Sequence, residues 1–370
     1  MHIRPVQAEE DRQAFINLPY RFYHDDPMWV PPLRSEQAAL FDPRKNPLLE
    51  HCDYQLFLLE DGGQAVGRVA AFIDRLAVED WKEAIGLFGH YECPPDMEAS
   101  QLLLGAAQEW LQQRGCTAMR GPWSFVSQEW GLVLEGFSPP PVIMAPYNPA
   151  YYNNQMVAFG LQKVKDLVCY EIDAAQGYQI PARILELTDV VARRYQVRVR
   201  QLDMKHYERE VRNIVALSNA SLDDNWGFSS VTEAEVRQMA RDLKPVLQPR
   251  GVLFAEDAQG RPIGFAIALP DVNTLLSGMN GRLFPFGWIK LLWGLPRLRR
   301  YRMFGLGVIP EYHGKAVDSL LYRALYNSLY TPDIWMEINY VLEDNYPMNN
   351  AIRKLGARPS RRYRIYQKPV

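Results

Sequence analysis

Between Val308 and Val317 the chain reads VIPEYHGKAV. An apolar run halts at Pro310 and a short polar turn holds His313, Gly314 and Lys315. The stretch that follows carries Val317, Leu320, Leu321, Ala324 and Leu325 at helical spacing. A strand that feeds a helix through such a turn points the first free N–H groups, and the positive end of the helix dipole, at whatever lies over the turn. That chemistry suits a phosphate. Gly314 admits close backbone approach, while His313 and Lys315 bring positive or hydrogen-bonding side chains. A plain strand-to-helix turn satisfies the same spacing, so the motif alone leaves both readings open.

The elements around that turn belong to a soluble globular chain. Its 370 residues are 48% hydrophobic and 23% charged, with a formal net charge of -2, and the length suits two domains. Such a balance is not basic enough to expect a nucleic-acid partner. The four cysteines, Cys52, Cys93, Cys116 and Cys169, lack CxxC spacing, and only His51-Cys52 sets a cysteine beside a histidine, with adjacent side chains expected to point apart. No metal site and reduced thiols are therefore expected. The N-terminus has no apolar signal region, and no stretch reaches the roughly 18 apolar residues of a spanning helix. The expectation is a cytoplasmic protein without an integral membrane segment.

The chain also repeats itself. YQLFLLEDGGQAVGRVAAFID, from Tyr54, and GVLFAEDAQGRPIGFAIALPD, from Gly251, both read as hairpins, with Gly67 answering Gly264. Farther on, residues 157–172 align without a gap against residues 353–368, pairing Gly160 with Gly356 and Tyr170 with Tyr366. The two matches lie at separations of 197 and 196 residues and in the same order, which predicts a duplicated domain. Each half runs strand, helices, hairpin, strand, amphipathic helix, strand, helix ending in glycine, strand. The boundary is expected near Gln176, giving domains at 1–176 and 177–370.

At this point the residues carry a resemblance. GVIPEYHGKAVDSLLYRAL resembles the acetyl-CoA pyrophosphate loop of the GNAT acyltransferase superfamily, Val-x-Pro followed by Arg or Gln, two residues, Gly, one residue and Gly or Ala. MEINYVLEDNYPMNNAIRKLG is similar to the superfamily's next segment, with Asn345 at a helix start and Gly356 eleven residues on. The resemblance implies an α/β (α+β) protein of tandem GNAT-like domains, each a mixed, mainly antiparallel sheet flanked by helices. It also implies acetyl-CoA or a longer acyl-CoA as substrate, held by Leu306, Gly307, Val308, His313, Gly314, Lys315, Ala316, Val317 and Asn345. Departures stand beside it. His313 replaces Arg or Gln, Ala316 replaces Gly, and Asp318, expected about one turn into the helix, sets a charge against an anion. Ile352 stands where many members carry the tyrosine that protonates the leaving thiolate. The first half's turn, Cys93-Pro94-Pro95, has no glycine, and Asp96 reads as an ordinary helix cap, so no CoA loop is expected there.

Acyl transfer from a thioester to an amine needs an oriented thioester, a proton acceptor and oxyanion stabilisation. Glu343 is the candidate base, with Glu337 and Asp344 as alternates, and Tyr340 is a substitute proton donor; a capping carboxylate is the competing reading of Glu343 and Asp344. Acceptor recognition falls to Asp223, Asp224, Asn225, Trp226 and Phe228, whose acids and rings suit a small-molecule amine. Thr232 and Glu235 there also resemble a capping box. Trp123, Trp130, Phe137, Tyr147, Tyr151 and Tyr152 in the first half's insertion either line a pocket or fill core. The second insertion, 282–301, has three readings: a helix packed on its neighbour, an acceptor lid, or a contact with a membrane surface, its arginines toward anionic headgroups. The resulting expectation is an acyl-CoA N-acyltransferase, its oligomeric state open; the competing class is a catalytically silent binding module.

Overall fold

The computed structural model describes residues 1–125, 129–222 and 225–370. It divides into two compact units. The first takes Met1–Leu167, Leu276–Trp288 and Arg361–Val370; the second takes Val168–Leu275 and Ile289–Ser360. Among the described residues, no helix is long and apolar enough to cross a membrane.

In the first unit the strand His2–Pro5 pairs with Cys52–Asp61, which forms an antiparallel hairpin with Gln64–Asp74 and leads to Ile85–Glu92, Ala118–Gly121 and the end of Arg358–Pro369. Among the described pairings of this unit Ile85–Glu92 and Ala118–Gly121 run parallel, because the helix Met97–Gln112 returns the chain between them. The second unit repeats this order. Arg198–Gln201 pairs with Val252–Glu256, then come Pro262–Pro270 and Arg300–Val308, all antiparallel. Trp335–Leu342 lies parallel to Arg300–Val308 across the helix Val317–Leu329, and residues 168–173 close the sheet.

The duplication predicted from sequence is visible in matched contacts. A Cβ on Gly67 would meet Glu92 O and Leu103 Cδ1, both at 2.9 Å, and one on Gly264 would meet Gly307 O at 2.9 Å and Leu321 Cδ1 at 3.5 Å. Both glycines thus let a leucine of the crossover helix settle on the sheet. Deeper in each unit a buried tyrosine donates to a buried asparagine: Tyr366 Oη to Asn153 Oδ1 and Tyr170 Oη to Asn349 Oδ1, each at 2.7 Å. The chain does not respect the linear split at residue 176. Tyr170, near the end of the first half, serves the second unit, and Tyr366, near the end of the second half, serves the first.

Each unit has its own core. Leu59, Val69, Phe88, Leu103 and Tyr366 pack in the first; Ala266, Met303, Leu321, Met336 and Ile352 pack in the second. The first insertion's rings belong to the first unit. Trp123 stacks on Trp130 at 4.6 Å, and Phe125 is enclosed by Phe41, Tyr54, Phe72 and His90. The four cysteines are buried and none is joined in a disulfide among the described residues. His51 and Cys52 do not point apart: a ring nitrogen, the sulfur and an Asp74 oxygen lie within 4.8 Å of one another. His51 precedes the strand, so pleat alternation does not govern it, and the hairpin register sets Asp74 opposite Cys52. Asp74 Oδ1 already bonds His51 Nδ1 at 2.8 Å and accepts from Leu76 and Ala77 N–H as a helix cap.

Removing either tyrosine hydroxyl strands an asparagine oxygen that water cannot reach. Tyr366→Phe and Tyr170→Phe are each expected to lower stability by about 1–3 kcal/mol. Chemical denaturation checks this, and unchanged midpoints would count against these bonds as supports of the duplicated cores.

Candidate active site

The two parallel strand pairs begin alike and end differently. In the second unit the register runs Arg300↔Trp335, Tyr301↔Met336, Arg302↔Glu337 and Met303↔Ile338, and stops there. Past that point the loop strand bulges at Phe304, between partners of Ile267 and Ala268, and keeps only its antiparallel neighbour. Gly305, Leu306, Ile338, Tyr340 and Leu342 are half-exposed where strand interiors are usually buried. The strands therefore open a gap flanked by backbone groups that no ladder uses. In the first unit pairing also stops after three residues, Ile85↔Ala118 to Leu87↔Arg120, but the chain stays shut beyond it. Trp123 N–H donates to Phe88 O at 2.8 Å, and a Cβ on Gly89 would sit 1.7 Å from Trp123 O.

The turns at the strand ends differ too. Gly314 has φ +74, and an added Cβ would meet nothing within 4 Å, so its backbone is open to close approach. Ala316, at φ 57, precedes a helix that starts at Val317 and not at Lys315 as the sequence suggests. Asp318 is consequently in the first turn. Burial raises its carboxyl above the ordinary 3.8, although the N–H groups of Ser319 and Asp318 itself, and nearby His313, pull it back down. Those two N–H groups are donors that an anion would otherwise take. His313 Nε2 donates to Val308 O at 2.7 Å, which fixes the turn against its own strand. Lys315 Nζ lies 4.4 Å from the Tyr312 ring centre and 5.6 Å from that of Tyr195. In the first unit the equivalent turn is stoppered by its own side chains. Tyr152 Oη accepts from Cys93 N–H at 3.0 Å, Tyr151 Oη donates to Cys93 O at 2.8 Å, and Gln155 Nε2 donates to Pro94 O at 2.7 Å. Asp96 caps its helix through Ala99 N–H at 3.1 Å, and burial pushes the Cys93 thiol up to about 12, so no thiolate is at hand near neutrality.

Around the second unit's gap, Asn345 caps the helix Tyr346–Lys354 by accepting from Met348 N–H at 3.2 Å; the cap is neither Glu343 nor Asp344. Glu343 lies half-buried in the turn between strand and cap, and Asp344 is exposed. Glu337 is 1% exposed, accepts from Asn339 Nδ2 at 2.8 Å and lies in register with Arg302, whose Nε donates to Asn339 Oδ1 at 2.8 Å. Arg302, fully buried, also stands 5.2 Å from the Tyr340 ring centre. This network was not read from sequence, although an arginine at an inward strand position was a signal. Tyr322, likewise missed, donates to Met348 Sδ at 3.1 Å, and burial, then Asp318, raises its hydroxyl. Asp318 and Tyr322 sit four apart on one helix, which is the spacing that brings them together.

On the other face of the loop strand, a Cβ on Gly307 would meet Ser221 Oγ at 2.2 Å, so the glycine lets the helix Tyr207–Leu222 approach. A groove of about 570 Å³ runs beside this contact, lined by Ala216, Leu217, Ala220, Arg261, Ile309 and Pro310 among others. Thr232 and Glu235 form the expected capping box, with Glu235 N–H to Thr232 Oγ1 at 3.2 Å and Thr232 N–H to Glu235 Oε1 at 3.0 Å. Trp226 and Phe228 are half-buried just before it, while Asp223 and Asp224 lie outside the described residues.

A duplicated mixed sheet with a parallel pair opening over a strand-to-helix turn defines the class: this is a tandem GNAT-fold protein. A tandem GNAT protein from the clavulanic acid biosynthesis pathway superposes with a TM-score of 0.57 over 100% of this chain and 98% of its own, at 14% identity. No protein-family model matches the chain. The bacterial ceramide synthase of Caulobacter vibrioides is 32% identical over 392 residues, covering 100% of this chain and 98% of the relative. Protein YghO of Escherichia coli is 34% identical over 376 residues, covering 100% and 95%. The chain belongs to the family of these two proteins.

The raised carboxyl of Asp318 gives a pH signature. An acid whose folded pKa exceeds its unfolded one contributes stability that is present below about 3.8 and is lost as pH rises through the folded value. Asp318→Asn lacks that loss, so the variant's stability relative to the parent should increase as pH climbs through this window. Denaturation midpoints at several pH values test it; a flat difference would contradict the burial of this carboxylate.

Proposed function

We propose that the second unit transfers an acyl group from acyl-CoA to the primary amine of a long-chain amino alcohol, forming the amide that defines a ceramide. The observation that carries this reading is the gap between Phe304–Val308 and Asn339–Leu342, which is open in this unit and shut in the first. In it, the edge of Leu306 to Val308, where His313 takes Val308 O but no strand pairs, is suited to receive the pantetheine amides and the thioester, with Gly314, Lys315, Ala316 and Val317 under the diphosphate. The relative named as a ceramide synthase supplies the kind of product, and the groove beside Pro310 offers an alkyl chain the apolar wall of Ala216, Leu217, Ala220 and Ile309, beside Asn213 and the Arg261–Glu311 ion pair.

In the proposed step the amine nitrogen, stripped of a proton by Glu343 directly or through water, attacks the thioester carbonyl. The tetrahedral intermediate collapses by breaking the C–S bond, and the thiolate takes a proton. Tyr340 is one donor for that proton. Tyr322, whose hydroxyl reaches the closing helix at Met348, is another, and it stands in for the phenol that Ile352 does not provide. Glu337 is set aside as base because its carboxylate is buried within the Arg302 and Asn339 network. Trp226 and Phe228, with Asp224, remain the proposed walls of the acceptor site. One observation favours the alternative of a silent binding module: Asp318 occupies helix N–H groups that a diphosphate would use.

Kinetics separate the two. Glu343→Gln should lower thiol release from a long-chain acyl-CoA and a long-chain amino alcohol by roughly 100-fold or more, with CoA affinity retained. Gly314→Glu should abolish that affinity in calorimetry. Full activity in Glu343→Gln would remove the base assignment. If the unmodified protein released no thiol with any amine yet bound CoA, the module would be the better account.

A further inference from the structure

The second insertion was open to three readings, and its exposure speaks against the first, a helix packed on its neighbour. Phe284 is 79% exposed, Phe286 74%, Leu292 64% and Trp293 67%, with Trp288 and Ile289 also on the surface. These side chains are not packed on a neighbour. They sit on the helix Gly287–Gly294 and the loop before it, a stretch held at its edges: Arg34 N–H donates to Gly281 O at 3.0 Å, and Gln248 Nε2 donates to Leu295 O at 3.1 Å. Leu283, Leu291 and Leu295 turn partly inward, so the outward display is a consequence of which face is anchored. Exposed large apolar residues scattered singly need no explanation; a run of them on one anchored helix does.

Charge identifies what would cover it. From Asp271 to Glu311 no acidic residue intervenes, while Arg282, Lys290, Arg297, Arg299, Arg300 and Arg302 do. Arg300 faces Asp271 at 3.3 Å, Arg299 faces Asp333 at 3.8 Å, and Arg302 is buried. Arg282, Lys290 and Arg297 are exposed around the apolar run, Arg297 with Nη1 donating to Trp293 O at 3.0 Å. Two tryptophans, two phenylalanines and flanking cations, with no carboxylate among them, match the demands of an anionic lipid interface. The rings occupy the headgroup boundary while the cations meet phosphates. A second copy of this chain docked through the same segment would set these cations against one another.

We infer that the segment 282–297 docks this protein onto an anionic lipid surface by inserting Phe284, Phe286, Leu292 and Trp293, with Arg282, Lys290 and Arg297 contacting headgroup phosphates. The inference does not depend on which amine is acylated. A membrane-bound state would, however, place the enzyme where poorly soluble long-chain substrates partition.

The test is flotation of the full chain with vesicles of phosphatidylcholine alone or with about a third phosphatidylglycerol. The parent should float with the anionic vesicles and release as salt rises. The exposed-site variant Phe284→Ser/Phe286→Ser/Trp293→Ser should bind at least about tenfold more weakly while keeping its thermal midpoint. Lys290→Glu/Arg297→Glu should lose the preference for anionic vesicles. Failure of the parent to float on either composition, or equal flotation of the apolar variant, overturns the inference. So does a parent dimer in sedimentation velocity that the apolar variant converts to monomer, with no vesicle binding by either.

Discussion

The acyl transfer proposed for this chain depends on a parallel strand pair that stops pairing before its strands end. Parallel strands need a crossover, so the helix Val317–Leu329 must start where Arg300–Val308 finishes. The same connection that closes the sheet therefore brings a helix N-terminus over the gap. The bulge at Phe304 turns the rest of the strand toward its antiparallel neighbour, and the other edge, from Gly305 to Val308, is left without a strand partner, with His313 on Val308 O.

The first unit shows what happens when the same plan is filled. Its parallel pair is continued by Trp123 N–H on Phe88 O, and its turn is occupied by Tyr151, Tyr152 and Gln155. His90 in that pair is buried and acts as a hydrogen-bond acceptor for Phe125 N–H at 3.3 Å, with burial, then Arg68, holding its pKa well below 6.5. The two copies thus differ at this point, one closed by its own backbone and side chains and the other open. The Tyr–Asn bond recurs in both copies, so the closing strand is tied to its unit in the same way whether the gap is open or shut.

Much of this was legible in the chain. Hairpins with Gly67 and Gly264, a Pro310-terminated strand and the Asp96 and Thr232 caps each follow from local chemistry that tertiary contacts reinforce. The start of the loop helix was displaced by two residues because Ala316 takes a left-handed conformation that alanine does not advertise. That shift turns Asp318 from a distant charge into a first-turn carboxylate. The exchange of closing strands was illegible for a different reason: residues 157–172 and 353–368 are alike, so either strand fits either sheet by pattern. His51 and Cys52 converge on Asp74 through hairpin register, which adjacent positions in sequence do not reveal. Arg302, Glu337 and Asn339 needed the strand pairing itself, since their contacts span two strands separated by a helix.

The central claim, that the donor thioester enters the second unit's gap, is tested most directly by photo-crosslinking. An acyl-CoA carrying a diazirine near the carboxyl end of its chain would be irradiated with the protein, and the labelled peptides identified by mass spectrometry. The account predicts labelling within residues 304–309 and 338–343, competed by unmodified acyl-CoA. Competable labelling confined to residues 88–96 and 118–125 of the first unit would contradict it.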